Sequence, residues 1–183
     1  MIAVALDPAA LPVAVAGCGG IALRRFLALR ASGAHDLLLF IDQPDQALAA
    51  AAGAALREFL PGRAELAGLR ALWIAGLPEE RAAELAALAR SARVLVNVED
   101  SPALCDFHSV AEVRRGDLLL TVSTGGASPC LAARIRARLA AEYGVEWADR
   151  IGLLREHRAR WRRDGGDVAA LTDVLLHANG WLA

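Results

Sequence analysis

The sequence predicts an α/β protein: a Rossmann-like parallel sheet domain, then a hairpin-plus-helix region and a small C-terminal helical region. Three observations lead there. Short continuous apolar runs alternate four times with stretches of helical spacing, the pattern of buried parallel strands covered by helices. The first run opens into Gly17-Cys18-Gly19-Gly20-Ile21-Ala22, a glycine turn between strand and helix. After Asp100 the alternation stops and two β-like runs meet at a tight turn.

Taken in order, Pro12–Ala16 is apolar throughout and closes at Gly17, as a buried strand does. From Ile21 to Leu29 apolar residues return at helical spacing, and Gly33 ends the helix. Leu37–Ile41 is the second strand, closed by Asp42. An alanine-rich helix is expected over Gln46–Leu60, stopped by Pro61-Gly62. Leu69–Ala75 reads as a strand, Glu79–Arg90 as a helix and Arg93–Val98 as a further strand. His108–Arg114 and Leu118–Ser123 read as a hairpin joined by Arg115-Gly116-Asp117. Pro129–Tyr143 is a long helix ended by Gly144, Val145–Arg163 is helical, and Gly165-Gly166 separates a last helix, Val168–Ala178. These boundaries imply three regions, 1–107, 108–144 and 145–183.

Composition narrows the class. Hydrophobic residues make up 56% of the 183 and charged residues 22%, which excludes a disordered chain. A net charge of −1 provides no field for nucleic acid or anionic lipid. Arginine supplies every basic side chain and alanine abounds, an imprint of codon usage. The apolar start lacks a basic segment and is broken by Asp7, so it reads as a strand lead-in rather than a signal peptide. No run is long enough to span a bilayer. Cys18, Cys105 and Cys130 are odd in number and widely spaced, as in a reducing compartment. The expectation is a cytoplasmic protein.

Gly17-Cys18-Gly19-Gly20-Ile21-Ala22 fits G-x-G-x-x-A. Gly17 allows the tight turn, Gly19 lets the backbone approach a pyrophosphate, and Ala22 lets the helix pack closely on the strand. The helix start offers unpaired N–H groups and a positive dipole end to phosphates. Cys18 stands where a small filler is needed; an activated thiol at the helix start is the lesser reading. Asp42 lies 25 residues beyond Gly17, near the spacing of about 20 for an acid that binds a ribose. A carboxylate there takes the ribose hydroxyls and repels a 2′-phosphate, favouring NAD over NADP. A cap for the Gln43–Asp45 turn is its other reading.

Asp100 follows the strand ending at Val98, at the sheet edge where ligands bind in open α/β folds. Two readings stand side by side: a functional carboxylate that takes a proton while hydride leaves or holds a cationic metal, or a turn former beside the cap-like Ser101-Pro102. Ser128-Pro129 is a helix start, and Thr124-Gly125-Gly126 offers backbone N–H groups to an anionic ligand. His108 lies three residues from Cys105. Cys-x-x-His without further ligands is a poor metal site, so a hydrogen-bonded hairpin histidine is expected and no metal. The Arg155–Arg163 cluster reads as a solvated helix face.

The pieces AGCGGIALRR, VNVEDSPALCDF, RRGDLLLTVSTGGASP and LAARIRARL, in this order, resemble the precorrin-2 dehydrogenase (siroheme synthase N-terminal) family. The resemblance runs from about Val13 to Glu142. It implies a Rossmann domain, a central dimerisation region in 108–144 and a small helical domain in 145–183, assembled as a homodimer. The implied activity is NAD-dependent oxidation of precorrin-2 to sirohydrochlorin, joined in some members by insertion of ferrous iron. Asp100 falls on the family's catalytic aspartate. Gly20-Ile21 and Ile41-Asp42 fall on cofactor contacts, joining Gly17, Cys18 and Gly19. Thr124, Gly125, Gly126, Ser128 and His108 are the expected substrate contacts, since precorrins carry many carboxylates.

Three segments depart from the family pattern. Ala75-Gly76-Leu77-Pro78 stands where Ala-Thr-Asp is usual, His108-Ser109-Val110-Ala111 follows Cys-Asp-Phe in place of an apolar pair and Pro-Ala, and Asp42 replaces the usual Ala-Pro. Two other functions suit this scaffold: a metal chelatase or tetrapyrrole-binding relative without redox turnover, and an NAD-binding redox sensor.

Overall fold

The computed structural model describes residues 2–163 and 180–181; the helix expected over Val168–Ala178 lies outside them. The chain forms two compact units, Met1–Ser109 and Val110–Ala183.

In the first unit the elements run β1 (Val13–Gly17), α1 (Gly19–Ala31), β2 (Leu37–Ile41), α2 (Gln46–Ala52), β3 (Leu56–Arg57), α3 (Arg63–Leu66), β4 (Ala71–Ala75), α4 (Glu79–Ser91) and β5 (Leu95–Val98). All five strands are parallel, in the order β3-β2-β1-β4-β5. Strand alternation sends the buried side chains to two cores. Val13, Val15, Leu39, Ile41 and Trp73 pack with Ala22 and Phe26 of α1. Ala14, Ala16, Phe40, Leu72 and Ile74 pack with Leu85, Ala86 and Ala89 of α4. Burial on both faces is why β1, β2 and β4 are apolar at every position instead of alternating.

Helix α1 ends as Gly33 foretold. Gly33 has φ 96°, its N–H donates to Arg30 (3.1 Å) and the Ala34 N–H to Leu29 (3.2 Å), a Schellman closure. Arg93 closes α4 in the same way at φ 62°, with the Val94 N–H on the Ala89 carbonyl at 3.0 Å.

The alanine-rich element departs from the sequence reading. The helix expected over Gln46–Leu60 stops at Ala52, a 3₁₀ turn covers Gly53–Ala55, and Leu56–Arg57 form β3 beside Leu39 and Phe40. Gly53 at φ 57° breaks the helix, and pairing with β2 outweighs the helix propensity of the alanines.

In the second unit β6 (Ala111–Arg115) and β7 (Leu118–Val122) form an antiparallel hairpin, followed by α5 (Pro129–Glu142) and α6 (Trp147–Arg163). The connection is two residues, Gly116-Asp117, with φ 57° at Gly116, the glycine-first pattern of a type II′ turn. Arg115 caps the end of α5, donating from Nε to the Tyr143 carbonyl (2.9 Å) and from Nη2 to that of Ala140 (3.2 Å). Trp147 is buried under the Arg150 guanidinium, 4.9 Å from its ring centre. Arg155 pairs with Asp117 at the hairpin tip.

The tightest constraint is at the carboxyl ends of β1 and β4. A Cβ on Gly17 would lie 1.8 Å from the Ala75 carbonyl oxygen, which accepts the Cys18 N–H at 3.1 Å. Gly17→Ala is therefore expected to lower unfolding free energy by about 3 kcal/mol, measured by urea denaturation; parent-like stability would refute the close approach.

Candidate functional site

Parallel strands place their carboxyl ends on one edge, and the order reverses between β1 and β4, where open α/β sheets bind ligands. Gly17 ends β1 at this reversal. Cys18 is the N-cap of α1, with extended backbone and no side-chain bond to the helix, and the first turn holds no acidic residue. Its N–H groups are therefore left for an anion. The backbone at Gly19 and Gly20 is open, nothing lying within 4 Å of where a Cβ would stand at either; Gly19 also has φ 61°. Ile21 is exposed and Ala22 is buried against the sheet. A tight turn, an open backbone and an uncapped helix start together fit a pyrophosphate.

The Cys18 thiol is exposed and donates to the Gly76 carbonyl, so it is a tie between two loops and not an inert filler. Gly76 has φ 75°, and a Cβ there would lie 2.6 Å from the Cys18 carbonyl oxygen. The Ala75-Gly76-Leu77-Pro78 departure thus has a structural cause in this chain: the β4 loop folds tightly against the glycine turn.

Ile41 is buried at the end of β2, and Asp42 beyond it is exposed. The capping role belongs to Asp45, whose Oδ1 accepts the Leu48 N–H at 2.7 Å. Asp42 makes no side-chain hydrogen bond or ion pair among the described residues. Gln43 next to it has φ 58°.

Asp100 sits two residues beyond β5, separated from the β1 end by β4 alone, two strand spacings or about 10 Å. Its carboxylate is exposed. Its φ is 60°, a left-handed conformation that costs a non-glycine residue about 1 kcal/mol and persists where surroundings over-determine it. The turn closes through the Ser101 N–H on the Val98 carbonyl (3.3 Å). Ser101 precedes a 3₁₀ turn, Pro102–Leu104, without a side-chain cap bond. Beside it, the Glu99 carboxylate lies 3.6 Å from Arg25 of α1, and its buried Oε2 has no hydrogen-bond donor among the described residues.

A polar network that the sequence reading missed lies below this turn. Asn97 is 6% exposed within an otherwise apolar strand. Its Nδ2 donates to the Phe107 carbonyl (2.9 Å), and its Oδ1 accepts from Ser109 Oγ (3.3 Å), which accepts from Trp73 Nε1 (3.2 Å). A lone amide in an apolar run was the signal available.

His108 is exposed and precedes the hairpin, which starts at Ala111. The expected hydrogen-bonded hairpin histidine is thus corrected: β6 is shorter than the β-propensity of 108–110 suggests, and His108 makes no side-chain hydrogen bond among the described residues. Among those residues no group of three or more His, Cys, Asp or Glu side chains converges.

The Thr124–Ser128 loop belongs to the second unit. Thr124 Oγ1 accepts the Ser128 N–H (3.2 Å) and donates to the Ser128 carbonyl (3.1 Å). Ser128 Oγ caps α5 by accepting the Leu131 N–H (3.2 Å). Gly125 and Gly126, at φ 62° and 86°, are open where a Cβ would stand.

Sheet order, glycine turn and free acidic groups at the strand ends define a dinucleotide-binding α/β domain. Comparison with known proteins agrees. Residues 4–111 match the family described as "Putative NAD(P)-binding" and residues 115–142 the one described as "Sirohaem biosynthesis protein central". Siroheme synthase of Ectopseudomonas mendocina is 37% identical over 133 residues, 70% of this chain and 28% of that protein. Siroheme synthase of Pseudomonas fluorescens is 34% identical over 150 residues, 81% and 32%. The chain thus spans under a third of these relatives. The solved structure of SirC, a precorrin-2 dehydrogenase, superposes with a TM-score of 0.76 at 22% identity, covering 97% of this chain and 88% of that one; the likeness is one of fold. The chain belongs to the siroheme synthase N-terminal family of NAD(P)-binding proteins, and NAD, the cofactor read from the sequence, agrees with it.

The cap geometry yields a stability prediction. Ser128→Ala should lower unfolding free energy by about 1 kcal/mol, seen as an earlier urea midpoint with an unchanged slope; an unmoved midpoint would count against the cap.

Proposed function

We propose that the chain is an NAD-dependent dehydrogenase that oxidises precorrin-2 to sirohydrochlorin in siroheme biosynthesis. The observation that carries this reading is Asp100: an exposed carboxylate without a partner among the described residues, held at φ 60° on the sheet edge that carries the glycine turn. Names of relatives support the substrate, since the matched proteins are siroheme synthases and the structural neighbour is a precorrin-2 dehydrogenase.

NAD, when bound, supplies the hydride acceptor. Gly17, Cys18, Gly19, Gly20 and Ile21 present the backbone turn and the start of α1 to its phosphates. Ile41 and Asp42 line the ribose end, Asp42 accepting hydroxyl hydrogens and opposing a 2′-phosphate. Asp100 takes the proton released from a substrate carbon or nitrogen, so one hydride and one proton leave for each double bond formed. Thr124, Gly125, Gly126, Ser128 and His108 are assigned to the substrate's carboxylates, the open glycine pair offering backbone N–H groups.

We assign the protein to the cytoplasm, in keeping with its unpaired cysteines, and to a homodimer built through the second unit. None of the fourteen residues of α5 is buried, and Leu131 and Ile135, one turn apart, are 50% and 38% exposed. Replacing both with arginine should yield a monomer in sedimentation velocity; an unchanged oligomeric state would remove α5 from the interface.

Asp100→Asn should lower NADH formation with precorrin-2 by about 10²–10⁴-fold while leaving NAD affinity unaltered. Normal turnover would end the assignment. The same anaerobic assay with ferrous iron and sirohydrochlorin tests chelation, and insertion without NAD would favour a chelatase. Asp42→Asn should shift the NADP-to-NAD affinity ratio towards NADP by about tenfold, the effect of roughly 1.4 kcal/mol; an unmoved ratio in calorimetry would free Asp42 from the ribose.

A further inference from the structure

Asp100 has no side-chain partner of its own among the described residues, so its direction depends on the backbone of the turn from Val98 to Ser101. One backbone hydrogen bond of 3.3 Å closes that turn, which is little support for a non-glycine residue at φ 60°. The Glu99 N–H is held by the Ile74 carbonyl (2.9 Å) and the Ser101 carbonyl accepts the Leu104 N–H (3.0 Å) on either side of Asp100, and a sulfur atom adds to this support. Cys105 Sγ accepts the Val98 N–H at 3.2 Å and lies 3.2 Å from the Val98 carbonyl oxygen and 3.4 Å from that of Ser101. It also lies 3.6 Å from Asn97 Nδ2.

This arrangement follows from the position of β5 at the edge of the sheet. Val98 has no neighbouring strand on its outer side, and its N–H and C=O need partners there. Cys105 returns past the strand and serves both groups with one thiol, as acceptor and as donor. One step further along, Asp106 does the same for Val96. Its N–H donates to the Val96 carbonyl (2.7 Å) and its Oδ2 accepts the Val96 N–H (3.0 Å), while Oδ1 is held by Arg90 Nε (2.9 Å). Asn97 then fixes Phe107 from the strand itself. Residues 105–107 thus form a strap sewn to β5, and Cys105 is its last stitch before the turn.

We propose that Cys105 is a positioning residue for Asp100: its sulfur accepts the Val98 N–H and its single thiol hydrogen is shared between the Val98 and Ser101 carbonyls, which steadies the turn and so the direction of the carboxylate. The inference rests on the proton-transfer role of Asp100 given above. Cys105 itself touches no reacting group. Without the thiol, the fold keeps its core and the nucleotide turn, but the Asp100 backbone relaxes out of the left-handed region.

The test uses the full chain with Cys105→Ala and Cys105→Ser, each alone and with Asp100→Asn, assayed for NADH formation with precorrin-2 and for NAD binding by calorimetry. Cys105→Ala should reduce kcat by about ten- to a hundredfold, the scale of a misplaced catalytic group, with NAD affinity within about twofold of the parent. Cys105→Ser, which keeps donor and acceptor, should recover most of the loss. In the Asp100→Asn background Cys105→Ala should cost nothing further. Labelled-protein NMR reads the same step without turnover: the Asp100 Cα and Cβ shifts should move from left-handed towards extended values in Cys105→Ala. Should that variant not fold, Cys105→Val, which fills the volume without hydrogen bonding, replaces it. An active Cys105→Ala beside an inactive Asp100→Asn overturns the positioning role alone, as does an equal loss in both backgrounds. A fully active Asp100→Asn overturns the reading of Asp100 first.

Discussion

The approach of Gly17 to the Ala75 carbonyl sets the geometry on which the nucleotide site depends. Two parallel strands meet so closely at their carboxyl ends that no side chain fits between them, and the Cys18 N–H takes the carbonyl in the way. The strand must then turn at once, which brings the uncapped start of α1 to the crest of the sheet. The Cys18–Gly76 tie repeats the constraint one residue further on. A site for phosphate therefore arises from backbone packing, and its specificity is left to side chains at the neighbouring strand ends.

Those strand ends share an unusual backbone nearby. Of the three non-glycine residues with positive φ among the described residues, Gln43 and Asp100 follow β2 and β5 at the same edge, while Arg93 merely ends a helix. Left-handed residues at strand ends turn the chain sharply, leaving Asp42 and Asp100 exposed where the strands stop. Their carboxylates make no bonds within the chain among the described residues, in contrast with Asp45 and Asp106, which are consumed as a helix cap and a strand-edge partner.

Much of this was legible in the sequence because it is local. The buried strands announce themselves as unbroken apolar runs, Gly17 and Gly33 as punctuation, and Ser128-Pro129 as a helix start. What escaped depends on distant partners. Nothing in the alanine-rich stretch 46–60 signals that Leu56–Arg57 will lie beside Leu39 and Phe40. His108 carries β-propensity on both sides, yet the hairpin register begins three residues later. Gly76 reads as a lost polar side chain, whereas the space it vacates is filled by Cys18. Asn97 and Cys105 meet through a chain reversal that spacing alone does not reveal.

The two outer strands of the sheet share a property with a bearing on assembly. At one side β3 is only two residues long, and Arg57 folds its guanidinium back onto the carbonyls of Ala54 and Leu56. At the other, the strap from Cys105 to Phe107 satisfies the outward groups of Val96 and Val98. Neither margin offers a free ladder to another chain, the condition that drives edge-to-edge aggregation. Among the described residues, extension of the five-stranded sheet is thus closed as a mode of self-association, which leaves the helices and the β6-β7 hairpin as the surfaces for pairing copies.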